Sequence, residues 1–129
     1  GMEMVECGGM LCKNAKAGGA SHASFLFTGA NMREDLAKSA KILGVTVEHL
    51  GMDAGSISGT REEKLKVVGV IRRFRPDIVV TQDPEHCVED FDPGRRPAME
   101  ILLEGISLAG REYALDELPG LSPHRVKCV

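Results

Sequence analysis

The 129-residue chain has no tryptophan, one tyrosine and four phenylalanines. Its core must therefore be built from Val, Ile, Leu, Met and Ala. No apolar run approaches the roughly 18–20 residues of a membrane span, which leaves no membrane partner to expect. The N-terminus opens Gly-Met-Glu-Met, with no basic region followed by an apolar stretch, so no secretory leader is expected and a cytoplasmic location is. There is no basic excess: net charge is −3, and nothing reads as a nucleic-acid footprint. Cys7, Cys12, Cys87 and Cys128 form no C-x-x-C pair and match neither a zinc ribbon nor a disulfide framework, so they read as reduced thiols. No G-x-x-x-x-G-K-[ST] loop occurs, which removes the usual phosphate cradle. Length and balance argue for one soluble globular domain over residues 1–129.

What is present is an alternation of patterns. Glu3 to Ala17 reads as a helix with Met4, Val5, Gly8, Leu11, Cys12 and Ala15 on one face, ended by Gly18-Gly19. Gly8-Gly9 inside it costs roughly 1 kcal/mol per glycine relative to alanine, and points to close packing against a strand or a ligand. Ala23 to Thr28 reads as a strand. Asn31, with Glu34 three residues on, reads as the cap of a second helix carrying Met32, Leu36, Ala40 and Leu43 inward and stopped by Gly44. Val45 to Leu50 alternates like a half-buried strand, and Gly51 to Gly59 is a loop. Thr60 and Glu63 form a capping box for a helix through Leu65, Val68, Ile71 and Phe74, closed by Pro76. Ile78 to Thr81 is a continuous apolar strand suited to a sheet covered on both faces. An acidic loop runs from Gln82 to Gly94. Pro97 starts a helix with Met99, Leu102, Leu103 and Ile106 inward. Leu118 to Pro123 is a loop, and Val126 to Val129 reads as a strand. This order predicts an α/β fold with a mainly parallel sheet and right-handed crossovers.

Five pieces carry a resemblance. Glu3-x-x-x-Cys7-Gly8-Gly9-Met10-Leu11 is similar to the stretch that follows the H-P-D-D motif of LmbE-like (PIG-L type) de-N-acetylases. Phe25 to Thr28 with Gly29 resembles that family's second strand and its turn. Arg33-Glu34 followed by Ala40-x-x-Leu43-Gly44-Val45 resembles its R-E…A-x-x-L-G-V stretch. Ile71 to Thr81 resembles I-R-x-x-R-P-D-[VI]-V-[LV]-T, and Asp83-Pro84 falls where the family has D-P or N-P. The ordered set covers nearly all of the chain.

The resemblance implies a three-layer α/β/α Rossmann-like sandwich, with its usual first strand missing and the domain incomplete at both ends. It also implies an ancestral reaction: hydrolysis of N-acetyl groups on amino sugars or their conjugates by zinc-activated water. In the family, zinc is held by the His and second Asp of H-P-D-D and by a later His; the first Asp is the general base. Carried over, the two aspartates fall at Gly1 and Met2, the later ligand at Arg95 and an auxiliary His at Asp92. Arginine cannot ligate a cation, so no bound cofactor, no metal ligand and no catalytic residue are expected, and the chain reads as inactive as it stands. A shifted loop offers Asp83, His86, Asp90 and Asp92 as oxygen and nitrogen ligands; the same loop also reads as a solvated acidic surface.

In a parallel α/β sheet, ligands bind beyond the carboxyl ends of the strands. Asp53 stands there, to accept a sugar hydroxyl or simply to make a turn. Arg33 lies near the pocket by the resemblance. Arg95, with Arg96, either meets an anionic group or is an exposed helix start. Arg33, Asp53, Asp92 and Arg95 are thus the substrate-binding candidates. His22, His49 and His124 read as structural or exposed. The expected partners are a small amino sugar and a second copy that completes the sheet; a non-catalytic scaffold binding a ligand or protein is the alternative.

Overall fold

The computed structural model describes residues 2–89 and 91–129, with side chains for all of these except 2, 3, 88 and 89. The chain divides into two compact units, Gly1–Met52 and Asp53–Val129.

In the first unit the expected N-terminal helix is two helices, α1 (Met2–Glu6) and α2 (Gly8–Lys16), broken at Cys7. Gly8-Gly9 has little helical propensity to carry the rod through. Gly8 faces Leu43 at ordinary van der Waals distance, and Gly9 has nothing within 4 Å. The close approach therefore involves a helix, not a strand. Met4 is buried, but Val5, expected on the same stripe, is 79% exposed. Gly18, at φ 85, follows the helix end as expected.

Strand β1 is His22–Phe25, shorter than the sequence predicts. A 3₁₀ turn, Ala30–Met32, leads into α3 (Arg33–Leu43). Asn31 is therefore not the helix cap: that position belongs to Met32, which makes no capping bond. Gly44, left-handed at φ 70, ends α3 as glycine does at this position. Strand β2 is Thr46–His49 and pairs with β1 in parallel, His22 opposite Thr46 through Phe25 opposite His49. Two further bonds, Leu50 N–H to Phe25 O and Met52 N–H to Leu26 O, carry the pairing beyond the strands. The core is Met4, Leu36 and Ala40, with Leu11, Ala23, Phe25, Leu43 and Val47 packed on it. Met32 stays largely outside it.

In the second unit, α4 (Arg61–Phe74) packs on α6 (Arg95–Ala109), and the short α5 is His86–Glu89. The capping box forms as predicted: Glu63 N–H donates to Thr60 Oγ1, and Thr60 N–H donates to Glu63 Oε2 at 2.7 Å. Val67, Val68, Val70 and Ile71 are buried, while Phe74 is not. Helix α6 begins two residues before Pro97 and buries Met99, Ile101, Gly105 and Ala109; Leu103 faces outward and Leu102 and Ile106 are half-buried. Gly105 explains the rotated face. A Cβ there would lie 2.6 Å from Val67 Cγ1, so this glycine is where α4 and α6 meet.

The apolar segment Ile78–Thr81 and the terminal Val126–Val129 make a single parallel bridge, Ile78 to Cys128, instead of strands. Ile78 is 64% and Val80 53% exposed, so the expected burial on both faces is absent. Arg72 is 2% exposed and spans the gap between α4 and the end of α6. It donates from Nε to Ala109 O and from Nη2 to Arg111 O and Tyr113 O, both at 2.8 Å. The architecture is mixed α/β with a small parallel sheet. No helix among the described residues is long and apolar enough to cross a membrane.

Candidate functional site

Parallel strands end together, and the groups at their carboxyl ends share one edge of the sheet. In the first unit these are the residues after Phe25 and His49. Thr28 Oγ1 lies 2.9 Å from His49 Nδ1, and the imidazole stacks on Phe25 with ring centroids 5.6 Å apart. Sequence reading placed His49 only as structural or exposed. Its partners lie 21 and 24 residues away, and only the register of β1 on β2 brings them together. Arg33 opens α3 after the 3₁₀ turn; it is exposed and its side chain has no partner among the described residues.

The second unit holds the other three candidates. Asp53 builds an Asx turn: Oδ1 accepts from Gly55 N–H at 3.1 Å, and Oδ2 accepts from Ser56 Oγ at 3.1 Å. Asp92 builds another, with Oδ1 accepting from Gly94 N–H at 2.9 Å. The turns touch. A Cβ on Gly94 would lie 2.7 Å from Ala54 O, so only glycine allows the approach. Arg95 follows as the first residue of α6. Asp53, Asp92 and Arg95 are thus brought to one place by two abutting turns, each exposed. Both Asp53 oxygens already serve the turn, and each retains a lone pair for a further donor.

The acidic loop behaves differently. Asp83 Oδ1 accepts from Glu85 N–H at 2.9 Å in a turn of its own, and His86 begins α5 exposed. Among the described residues no three His, Cys, Asp or Glu side chains converge as a metal-holding group. Asp90 and Gly1 lie outside the described residues, as does the side chain of Met2. A groove in the first unit, about 390 Å³, runs between α1 and α3 along Met4, Val5, Met32, Leu36, Ile42 and Leu43. It is apolar, and the strand-end residues do not line it.

No family model matches the chain. Over 100 residues it is 37% identical to the diacetylchitobiose deacetylase of Thermococcus kodakarensis, an alignment that takes in 74% of this chain and 37% of that protein. Among solved structures, the conserved protein TT1542 of Thermus thermophilus superposes with a TM-score of 0.78 at 26% identity, covering 95% of this chain and 57% of that one. The N,N'-diacetylchitobiose deacetylase of Pyrococcus horikoshii gives 0.74 at 20% identity, covering 92% and 51%. The 4-carboxy-2-hydroxymuconate hydratase GalB of Pseudomonas putida KT2440 gives 0.66 at 21% identity, covering 93% and 56%. The last two are likenesses of fold alone. The chain thus spans 37% of the curated relative and about half of each solved chain. Over the part of the fold it spans, it belongs to the LmbE-like (PIG-L type) family of de-N-acetylases.

Proposed function

We propose that this chain is part of a protein whose reaction class is hydrolysis of the N-acetyl amide of an amino sugar, and that these residues supply scaffold and sugar-facing groups without a metal centre. The observation that carries the reading is the 37% identity over 100 residues to a protein named diacetylchitobiose deacetylase. In such a reaction water adds to the acetamide carbon, the C–N bond breaks, and acetate and a free amine leave. In the family a zinc ion activates that water. Two observations support reading these residues as lacking a metal centre: among the described residues no three His, Cys, Asp or Glu side chains converge, and Arg95, standing where the resemblance expects a histidine, has only donors to offer.

What the side chains can do is bind and orient. Arg33 offers charge-assisted donors to a sugar or acetyl oxygen. The lone pairs left on Asp53 can accept from a sugar hydroxyl, and Asp92 and Arg95 lie at the turn it abuts. The second reading, a non-catalytic binding scaffold, is favoured by Arg95 itself.

The test is threefold: calorimetric binding of N,N'-diacetylchitobiose, acetate release, and zinc content by plasma mass spectrometry after zinc addition and washing. Binding without acetate release or stoichiometric zinc is the expected result. Zinc retained by the wild type and lost in His86→Ala and Asp92→Ala would establish a metal centre and overturn the scaffold reading. Failure to bind the disaccharide would remove the amino-sugar reading.

A further inference from the structure

The trio Phe25, Thr28 and His49 has no role in the function proposed above. Phe25 and His49 are the last residues of β1 and β2 and sit opposite each other in the register. Thr28 holds Nδ1 at 2.9 Å, and Phe25 lies 5.6 Å away at an interplanar angle of 23°. One contact fixes which nitrogen faces Thr28; the other fixes the plane of the ring. Nε2 has no hydrogen-bond partner among the described residues, and the side chain is half-buried. A histidine held at one nitrogen and along one face presents its other nitrogen in a single direction. It does so at the carboxyl ends of parallel strands, where open α/β sheets bind their ligands.

The geometry points to His49 Nε2 as a hydrogen-bonding group for a sugar hydroxyl, with Thr28 and Phe25 as the residues that position it; this rests on the amino-sugar reading above and deepens it. A hydroxyl matches the site chemically. If Thr28 donates to Nδ1, Nε2–H is a donor; if Nδ1–H donates to Thr28, Nε2 is an acceptor. A hydroxyl answers either tautomer, whereas an amide carbonyl answers only the first. The other histidine of this sheet is arranged differently. His22 Nδ1 lies 2.7 Å from Thr46 Oγ1, and its Nε2 is buried and turned toward Glu48 Oε2 at 3.7 Å, so neither nitrogen is offered outward.

The experiment is calorimetric titration of the 129-residue protein with the N-acetylated disaccharide of the preceding test, for the wild type, His49→Asn and His49→Gln, each checked by thermal unfolding. Asparagine keeps a nitrogen or oxygen near the Nδ1 position and nothing at Nε2; glutamine reaches the Nε2 position. The wild type should bind, the Asn variant should bind roughly tenfold more weakly, as loss of one hydrogen bond to a desolvated partner gives, and the Gln variant should stay within about threefold. A purely structural histidine predicts the reverse order, Asn at or near wild type. In the ¹⁵N-labelled wild type, the His49 Nε2 resonance should shift on saturation, a readout that needs no variant. Unchanged binding by Asn, equal losses in both variants, or an unmoved Nε2 resonance in a saturated wild type would each overturn the assignment and leave the amino-sugar reading standing. A wild type that binds no disaccharide would overturn both.

Discussion

Arg72 shows how much one side chain can hold. Its guanidinium joins α4 to the carbonyl of Ala109 at the end of α6 and to the two loop carbonyls of Arg111 and Tyr113. The negative end of a helix is a favourable place for a cation. Burial nevertheless pulls its pKa below the ordinary arginine value, and Nη1 meets no acceptor among the described residues. Arg72→Leu removes the donors and leaves three carbonyls to resolvate. It should cost about 3 kcal/mol or more, and Arg72→Lys, which has no planar fork, should recover less than half of that; urea unfolding of both measures it. Glu63 is a second residue whose charge matters. Desolvation pushes its carboxyl up, but donors from Thr60, Ser58 and Gly59 outweigh this and hold it below the usual glutamate range. The folded chain thus binds this proton more weakly than the unfolded one. The capping contribution is complete above the ordinary glutamate pKa and drains away as pH falls through the lower folded value. The difference in melting temperature between wild type and Glu63→Gln should therefore shrink on acidification below about pH 4.5, and a thermal melt at stepped pH reads it directly.

At the scale of elements, the join between α4 and α6 turns on Gly105. A methyl there would meet Val67 at its Cγ1 and, at 2.8 Å, at Cβ, which cannot rotate away. Overpacking should exceed the roughly 1 kcal/mol alanine gains in a helix, for a net loss of about 1–2 kcal/mol in Gly105→Ala, measured by denaturant midpoint. The salt bridge of Lys64 to Glu104 at 2.6 Å lies beside this contact, but with Glu104 open to solvent the pair adds little to it. The same join shows what could and could not be read in advance. The Thr60–Glu63 box and the Gly44 stop were legible because their signals lie within a few residues of the feature they make. The inward face of α6 was not. Leu102, Leu103 and Ile106 look more apolar than Gly105, yet close helix approach selects the small residue. Arg72 was hidden for a related reason: in Ile71-Arg72-Arg73-Phe74-Arg75 it looks like one surface charge among three, and its acceptors lie 37 to 41 residues on. Asn31 carried a capping signal that the fold does not use: a 3₁₀ turn moves the cap one residue on, to Met32. Asp53 and Asp92 lie in the two loops read around them, but the contact of those loops across Gly94 and Ala54 is tertiary and left no local trace.

At the scale of the molecule, the family fold was legible from the order of its motifs, while the extent of its sheet was not. Runs such as Ile78–Val80 predict a covered strand, but coverage is supplied by neighbours rather than by the run itself. Here Ile78, Val80 and Val129 stand more than half exposed beside a single parallel bridge. Exposed apolar segments with unpaired edges associate readily. Sedimentation velocity across a hundredfold concentration range should therefore show a rising mean sedimentation coefficient; a constant monomer value would exclude association of copies. The pairing of β1 with β2 has a consequence of another kind. Its partners are 24 residues apart and the connection is a helical crossover, so no tight turn can bring the strands together early. On a ribosome adding about 5–20 residues per second, β1 waits about 1–5 seconds for β2 to be synthesised. Through that interval Ala23 and Phe25 have only helical neighbours to shelter them, and its length is set by how fast the codons of α3 are read.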